Sequence, residues 1–148
     1  MITILYLNIQ GLGTPSKFLV LKKLFHYIHP CIILLQETML SVSNVVIYFQ
    51  KMFPHWYISA TTSARLSGGL VVLWDLLWIW ATAFSCSDGI LIEAYFRGQL
   101  DCIHILNLYG PYRKRTTFWQ ELFDSGIMDL SSPIVVASRV VVVCIESF

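Results

Sequence analysis

The chain has 148 residues, a length that suits one ordinary domain with a sizeable core. Hydrophobic residues make up 56% of it and charged residues 13%, against averages of roughly 45 to 50% and 25%. The formal net charge of +1 excludes a global field that attracts nucleic acid, so any such binding has to be local. The apolar excess indicates one of two things. Either the chain is a fragment whose partner segment is missing, or it contains a membrane segment.

The first part of the chain predicts alternating strands and helices. A buried strand ends at Asn8 and a glycine turn, a helix opens at Thr14 and Pro15, and a second strand is too short to be a helix. Strand, helix, strand is typical of a layered α/β fold. The predicted elements are a strand over Ile2–Leu7, a helix that Pro30 ends, a strand over Cys31–Leu35 and a helix over Ser43–Met52.

Successive strands separated by glycine turns are predicted next, which indicates a meander-like sheet. They are Trp56–Ala60, Gly69–Trp74, Trp78–Phe84, Ile90–Phe96 and Cys102–Tyr109. An amphipathic helix over Thr116–Met128 follows, with Phe118, Leu122 and Phe123 predicted to point inward. One apolar strand over Pro133–Val143 completes the prediction.

The apolar segment Leu70–Cys86 is the strongest candidate for a membrane span, but Asp75 interrupts it. A span needs about twenty predominantly apolar residues, and a central Asp costs a few kcal/mol. We therefore expect two buried strands that meet at Asp75 and no membrane partner. Trp78, Trp80, Thr82 and Phe84 would share one face. The N-terminus lacks the charged leader of a secretory signal.

Cysteine and histidine spacing predicts no zinc site and no disulfide scaffold. Cys31, Cys86, Cys102 and Cys144 are far apart and form no CxxC pair, so reduced cysteines are expected. His26 and His29 would share a helical face without convergent partners.

Oxygen ligands are predicted where two strands end. The QET sequence at Gln36 to Thr38 follows the second strand, and Asn8 ends the first. A carboxylate and a carboxamide at neighbouring strand ends can hold Mg²⁺, which prefers oxygen ligands. The one basic cluster, Arg113, Lys114 and Arg115, is a candidate nucleic-acid contact or a solvated loop.

Several motifs in order resemble those of one family. They are NIQGLG from Asn8, QET, SGGLVVLWD from Ser67, NLYGP from Asn107 and FWQEL from Phe118. Together they are similar to the endonuclease/exonuclease/phosphatase superfamily, and more closely to the apurinic-endonuclease-like domain of plant LINE-type (non-LTR) retrotransposons. The resemblance extends to about Pro133.

The resemblance implies an α/β fold, the N-terminal portion of a four-layered αββα sandwich with mostly antiparallel sheets. It implies Mg²⁺-dependent hydrolysis of phosphodiesters in DNA, with Glu37 as a metal ligand. Asn8 would order the metal and phosphate, and Tyr109 would lie beside the scissile phosphate. Without the resemblance, Asn8 could be a turn former, Glu37 a solvated carboxylate and Tyr109 an aromatic anchor.

The family pattern next requires a GDFN-type motif, and the sequence departs from it. Depending on the alignment, its Asp and Asn positions hold Arg139 and Val141, or Ala137 and Arg139; no Asp or Asn follows Asp129. Tyr112 replaces another frequent Asn, and the family's terminal Asp-His pair is not present. We therefore expect one C-terminally incomplete domain over 1–148, catalytically inactive, with weak or no Mg²⁺ binding.

Two other functions stay open, a non-catalytic module that binds nucleic acid or protein and a small membrane-associated protein. Incomplete sheets would expose apolar surface and favour self-association, with Val140 to Val143 as the segment most prone to aggregate. A nuclear location would suit the family's role, although no localisation signal stands out.

Overall fold

The computed structural model describes residues 1–62, 68–85, 89–109, 114–126, 132–137 and 141–145. Most predicted elements are confirmed, with ends that move by one or two residues. The predicted helix over Thr116–Met128 is an exception, because it ends at Asp124 and its last predicted residues lie outside the described part of the chain. In chain order the elements are β1 (Ile2–Asn8), α1 (Pro15–Ile28), β2 (Ile32–Gln36), α2 (Val42–Met52), β3 (Trp56–Thr61), β4 (Leu70–Asp75), β5 (Ile79–Ser85), β6 (Gly89–Phe96), β7 (Cys102–Leu108), α3 (Arg115–Asp124), β8 (Ile134–Ala137) and β9 (Val141–Ile145).

The strands form two sheets. The five-stranded sheet has the order β3-β4-β2-β1-β9, and the four-stranded sheet has the order β5-β6-β7-β8. Only β1 with β2 and β7 with β8 are parallel among the described pairs. The prediction of an α/β fold with mostly antiparallel sheets is therefore confirmed.

Two apolar clusters hold three layers together. Inner faces of the two sheets meet in one cluster, where Tyr6 and Trp74 pack with Ile92 and Ile105. The outer face of the five-stranded sheet packs against α1 and α2 in the other, which contains Phe25 and Phe49. Because β1, β2 and β4 face apolar neighbours on both sides, their sequences read as continuous apolar runs.

The outer face of the four-stranded sheet is open in the part of the chain that the structure describes. Trp80 is 76% exposed and Phe84 is 53% exposed on β5. The prediction of a fully buried strand here is therefore wrong, because no described element covers this face. In α3, Phe118 and Leu122 are half-buried, but Phe123 is 58% exposed and does not point inward as predicted.

The segment Leu70–Cys86 contains two strands, as expected, but they belong to different sheets. Strand β4 lies in the five-stranded sheet, and the chain turns after Asp75 to enter the four-stranded sheet as β5. The predicted single meander is thus interrupted at this turn. Among the described residues, no helix is long and apolar enough to cross a membrane.

The predicted single strand over Pro133–Val143 is wrong. Strand β8 pairs with β7 in the four-stranded sheet, whereas β9 pairs with β1 in the five-stranded sheet. An apolar run gives no sign of such a change of sheet, since both strands lie among apolar neighbours and neither alternates with polar residues.

Candidate functional site

Strands β1 and β2 end side by side, which places two of the predicted ligands at one edge of the five-stranded sheet. The strands are parallel, and Asn8 lies opposite Gln36 in their register. Glu37 is the next residue after Gln36. Strand β4 begins at this edge, because Leu70 is paired with Gln36 on the other side. We call this region the ligand edge.

The loops at the ligand edge are joined by backbone hydrogen bonds. The amide of Gly11 donates to the Glu37 carbonyl at 2.6 Å, and the amide of Leu12 donates to the Thr38 carbonyl at 3.0 Å. The amide of Met39 donates to the Gly68 carbonyl at 2.8 Å. Three loops that are distant in sequence therefore support one another, which fixes the backbone that carries Glu37.

Lys17 adds a second support that sequence reasoning missed. Its Nζ donates to the carbonyls of Ile9, Gln10 and Gly11 at 3.1, 2.8 and 3.0 Å. One ammonium group thereby satisfies three loop carbonyls from the first turn of α1. The sequence feature that could have predicted this contact is Lys17 itself, four residues after Gly13. A lysine at that position of the helix is long enough to reach back to the loop.

Left-handed backbone conformations are concentrated at the ligand edge. Gln10, Glu37 and Met39 have φ angles of 46°, 56° and 57°. Residues other than glycine rarely adopt this left-handed conformation, because it strains the backbone. The strain persists only where the surrounding structure imposes it. The hydrogen bonds of the loops supply that constraint, so Glu37 is held at a fixed but strained position.

A buried amide pair joins the two sheets directly behind the ligand edge. Gln36 Nε2 donates to Asn107 Oδ1 at 3.1 Å and to the Leu108 carbonyl at 2.6 Å. Asn107 Nδ2 donates to the carbonyls of Leu35 and Val71, both at 3.1 Å. Asn107 is fully buried and Gln36 is 5% exposed, so these hydrogen bonds replace water that neither side chain can reach.

The sequence prediction did not assign a role to either amide. Both lie within apolar strands, and a polar side chain at such a position has to find a partner. The need for a hydrogen-bond partner therefore predicts that each amide makes a contact, but it does not identify the partner.

Tyr109 follows directly after Leu108, whose carbonyl receives the Gln36 amide. Its ring packs in the core between the sheets, and the residue is 7% exposed. Within the described part of the chain its hydroxyl has no hydrogen-bond partner. Because this hydroxyl is buried, the position of Tyr109 beside a scissile phosphate stays a prediction.

The charge of Glu37 acts on Tyr6, a residue of β1 that points between the sheets. Burial is the main cause that raises the pKa of Tyr6 above its ordinary value, and the Glu37 carboxylate adds to it. An anion favours the neutral phenol, so both causes act in the same direction.

Asn8 and Glu37 fit Mg²⁺ in the chemical type of their oxygens but supply one carboxylate. Asn8 is exposed, and its Oδ1 accepts a hydrogen bond from the Gln10 amide at 3.2 Å. Among the described residues, no group of three or more His, Cys, Asp or Glu side chains is arranged to hold a metal ion. When bound beside a phosphate, Mg²⁺ would polarise a phosphoryl oxygen.

The predicted basic cluster is described only in part. Lys114 is exposed and precedes α3, and the helix backbone begins at Arg115. Arg113 lies outside the described residues. The role of this cluster as a nucleic-acid contact therefore stays a prediction.

The two described positions at which the sequence analysis expects parts of a GDFN-type motif, Ala137 and Val141, end β8 and begin β9. Strand β8 ends at Ala137, which lies opposite Asn107, and β9 begins at Val141, which lies opposite Tyr6. Arg139 lies outside the described residues. The loss of the motif therefore stays a prediction from the sequence.

No family model matches the sequence, and no curated protein matches it. Solved structures, in contrast, show clear similarity.

The endonuclease domain of TRAS1, a telomere-specific non-LTR retrotransposon, has a TM-score of 0.64 and 11% identity over 91% of this chain and 58% of that chain. The AP endonuclease LMAP from Leishmania major has a TM-score of 0.66 and 13% identity over 91% of this chain and 54% of that chain. An endonuclease/exonuclease/phosphatase from Bacteroides vulgatus has a TM-score of 0.62 and 10% identity over 91% of this chain and 64% of that chain. The chain therefore spans between half and two thirds of these proteins and shares their fold.

Proposed function

We propose that this chain, which has the fold of the endonuclease/exonuclease/phosphatase superfamily, is a catalytically inactive relative of a Mg²⁺-dependent DNA endonuclease of a LINE-type retrotransposon. One observation carries the proposal. Strand β8 ends at Ala137 beside Asn107, and neither Asp nor Asn follows Asp129 in the sequence. The place where the resemblance requires an acid and an amide therefore has neither.

Hydrolysis of a phosphodiester needs a group that takes a proton from the attacking water. Ala137 and Val141 have no side chain that can accept a proton, and Arg139 is a cation with donors only. If Arg139 takes a motif position, as the resemblance implies, its positive charge opposes that of Mg²⁺. Both effects lower activity, and the second lowers metal affinity.

The chain keeps the residues that the resemblance names as metal and phosphate ligands, which accounts for its similarity to an endonuclease in the absence of nuclease activity. Asn8 and Glu37 stay at adjacent strand ends, and the Gln36 to Asn107 hydrogen bond holds Tyr109 nearby. These groups position a metal and a phosphate, but they do not activate water. We propose that Mg²⁺ binding through Glu37 is weak.

Supercoiled plasmid with Mg²⁺ tests the proposed inactivity. We expect no nicking above the background of a Glu37→Ala variant. Glu121→Ala is the matched control, because this carboxylate is exposed on α3. Nicking that disappears in Glu37→Ala and persists in Glu121→Ala would overturn the proposal.

We propose further that the chain contacts DNA through Arg113, Lys114 and Arg115. The support is the exposure of Lys114 and the resemblance to DNA-cleaving enzymes. Neutralising the three residues should reduce the slope of log affinity against log salt concentration by about 0.9 for each phosphate that the protein no longer neutralises. Lys51→Ala, an exposed change at the end of α2, should leave the slope unchanged. An identical slope in both variants would contradict the DNA contact.

The open face of the four-stranded sheet supports self-association with a second copy of the chain. Trp80 and Tyr95 lie side by side there, with ring centroids 5.9 Å apart, and Phe84 continues the apolar surface. Sedimentation velocity should show association that Trp80→Lys abolishes. Tyr27→Lys is the control, since Tyr27 is 86% exposed on α1. A monomer at high concentration would contradict this contact.

A further inference from the structure

A cavity of about 430 Å³ lies at the end of the five-stranded sheet opposite the ligand edge. It opens where β2 begins and β4 ends, next to Cys31 and Asp75. The length of β2 separates it from Glu37, about 17 Å at the usual rise of a strand. Neither the proposed metal ligands nor the amide pair reaches it.

Aromatic side chains form one wall of the cavity. Phe53 and Trp56 pack with ring centroids 4.6 Å apart and an interplanar angle of 30°, and Phe25 lies behind Phe53 at 5.5 Å. Trp78 lines the cavity from the turn after β4 and is 57% exposed. Such a wall offers flat π surfaces for a planar ligand.

Charged and polar side chains form the rim. Lys22 and His26 project from α1, and His29 ends that helix. Asp75 lines the cavity from β4. Although His26, His29, Cys31 and Asp75 all line it, no metal-holding group of three such residues occurs among the described part of the chain. Lys22 gives the rim a cation that can pair with an anionic group of an organic ligand.

Backbone hydrogen bonds fix these walls before any ligand binds. The Asp75 amide donates to the Cys31 carbonyl at 3.0 Å, and the Leu77 amide donates to Asp75 Oδ1 at 2.9 Å. The Arg97 amide donates to the Trp78 carbonyl at 2.8 Å, which ties the turn to the other sheet. A preformed pocket of this size is typical of small-molecule sites, which measure roughly 300 to 1,000 Å³.

We propose that this cavity binds a nucleotide, with the base against the aromatic wall and the phosphate at Lys22. The wall supplies stacking, which suits any heteroaromatic base. Lys22 supplies the charge that a phosphate needs, and His26 lies on the same helix face as a further donor. Asp75 accepts an N–H from an amino group of the base, since a carboxylate accepts several hydrogen bonds.

The nucleotide can be free or part of a single strand, and a second groove distinguishes these sources. This groove, of about 480 Å³, shares Trp78 with the cavity and is also lined by Trp80, Tyr95 and Arg97. A strand whose terminal nucleotide fills the cavity would continue over Trp80 and Arg97, and it would compete there with the proposed self-association. A free nucleotide would not reach them.

Isothermal titration calorimetry with AMP tests the site. We expect binding that Lys22→Ala weakens about tenfold by removing a charge-assisted hydrogen bond, and that Trp78→Ala weakens about tenfold by removing a stacking surface. Lys23→Ala is the matched control, because Lys23 is also exposed on α1 but does not line the cavity. Adenosine, which has no phosphate, should bind about tenfold more weakly than AMP and be insensitive to Lys22→Ala.

An oligonucleotide of six deoxyadenosines separates the two sources. Weaker binding of this strand in Trp80→Ala, with AMP binding unchanged, assigns a strand-binding site; equal binding in Trp80→Ala assigns a free nucleotide. The proposal is overturned if neither AMP nor the strand binds at millimolar concentration, or if Lys22→Ala and Lys23→Ala reduce binding equally. Glu37→Ala should change none of these affinities, which keeps this test separate from the proposed nuclease ancestry.

Discussion

Gln36 and Asn107 meet across the two sheets, and the Gln36 amide donates to the Asn107 carboxamide oxygen at 3.1 Å. Each residue belongs to a different sheet, and both are almost completely buried. The pair therefore sets the distance between the sheets at the edge that carries Asn8 and Glu37. Its hydrogen bonds connect the packing of the core with the geometry of the candidate site.

Asn107→Ala should lower the free energy of unfolding by about 2 to 4 kcal/mol. The change removes the acceptor of one of the two Gln36 hydrogen bonds and the donor to the carbonyls of Leu35 and Val71, and each buried unsatisfied group costs roughly 1 to 3 kcal/mol. Urea denaturation followed by circular dichroism measures the decrease. Gln50→Ala, an exposed change in α2, is the control. A decrease no larger than that of Gln50→Ala would contradict the importance of the pair.

Gly69→Ala should destabilise the fold more than Gly98→Ala. Both glycines have left-handed φ angles, of 95° and 86°. A Cβ at Gly69 would collide with Thr38 Oγ1, whereas nothing lies within 4 Å of a Cβ at Gly98. Backbone strain costs about 1 kcal/mol in both variants, and the collision adds roughly 1 to 3 kcal/mol. Thermal denaturation of the two variants measures the difference in their stability. Equal destabilisation would show that the loops at the ligand edge shift to accommodate the added methyl group at little cost.

Glu37→Gly should raise the free energy of unfolding by roughly 0.5 to 1 kcal/mol, because glycine adopts the φ of 56° without strain. Glu121→Gly should have the opposite effect. Glycine inside α3 should lower the free energy of unfolding by about 1 kcal/mol. Chemical denaturation measures both. A lower stability in Glu37→Gly would mean that the carboxylate makes stabilising contacts that outweigh its backbone strain.

Stability should fall as the pH rises above about 10, the ordinary pKa of tyrosine. Burial raises the pKa of Tyr6 in the folded protein, so the unfolded chain releases its proton first and becomes more stable relative to the fold. The fall is at most about 1.4 kcal/mol per pH unit for this residue.

Tyr6→Phe should reduce that fall. The measurement is the free energy of unfolding at about pH 8 and about pH 10.5 in urea. Tyr27→Phe, a change at an exposed position, serves as the control. An equal decrease between the two pH values in native protein and Tyr6→Phe would show that Tyr6 does not cause the alkaline destabilisation.

Local patterns predicted most of the elements, because a strand that is apolar on both faces and a helix ended by Pro30 are visible in a short window. They also placed Asn8 and the QET sequence at neighbouring strand ends, which the register of β1 and β2 confirms. The pairing needs no knowledge of distant residues, since only one helix separates the two strands.

Features that depend on distant contacts were missed. Asn107 and Gln36 are 71 residues apart in sequence, and no local pattern predicts that they form a hydrogen bond. The change of sheet between Ala137 and Val141 is likewise invisible, because each apolar strand would suit either sheet. The exposure of Trp80 was missed for the opposite reason, since an aromatic residue in an apolar strand is usually covered.

The chain returns to the five-stranded sheet only in β9, where Ile145 pairs with Ile2. Between β4 and that return, it builds the whole four-stranded sheet. Closing so large a loop is slow, because the entropic cost comes before the contacts that offset it. We therefore expect β1 to pair with β2 first, and its other edge to stay unpaired until β9 joins the sheet.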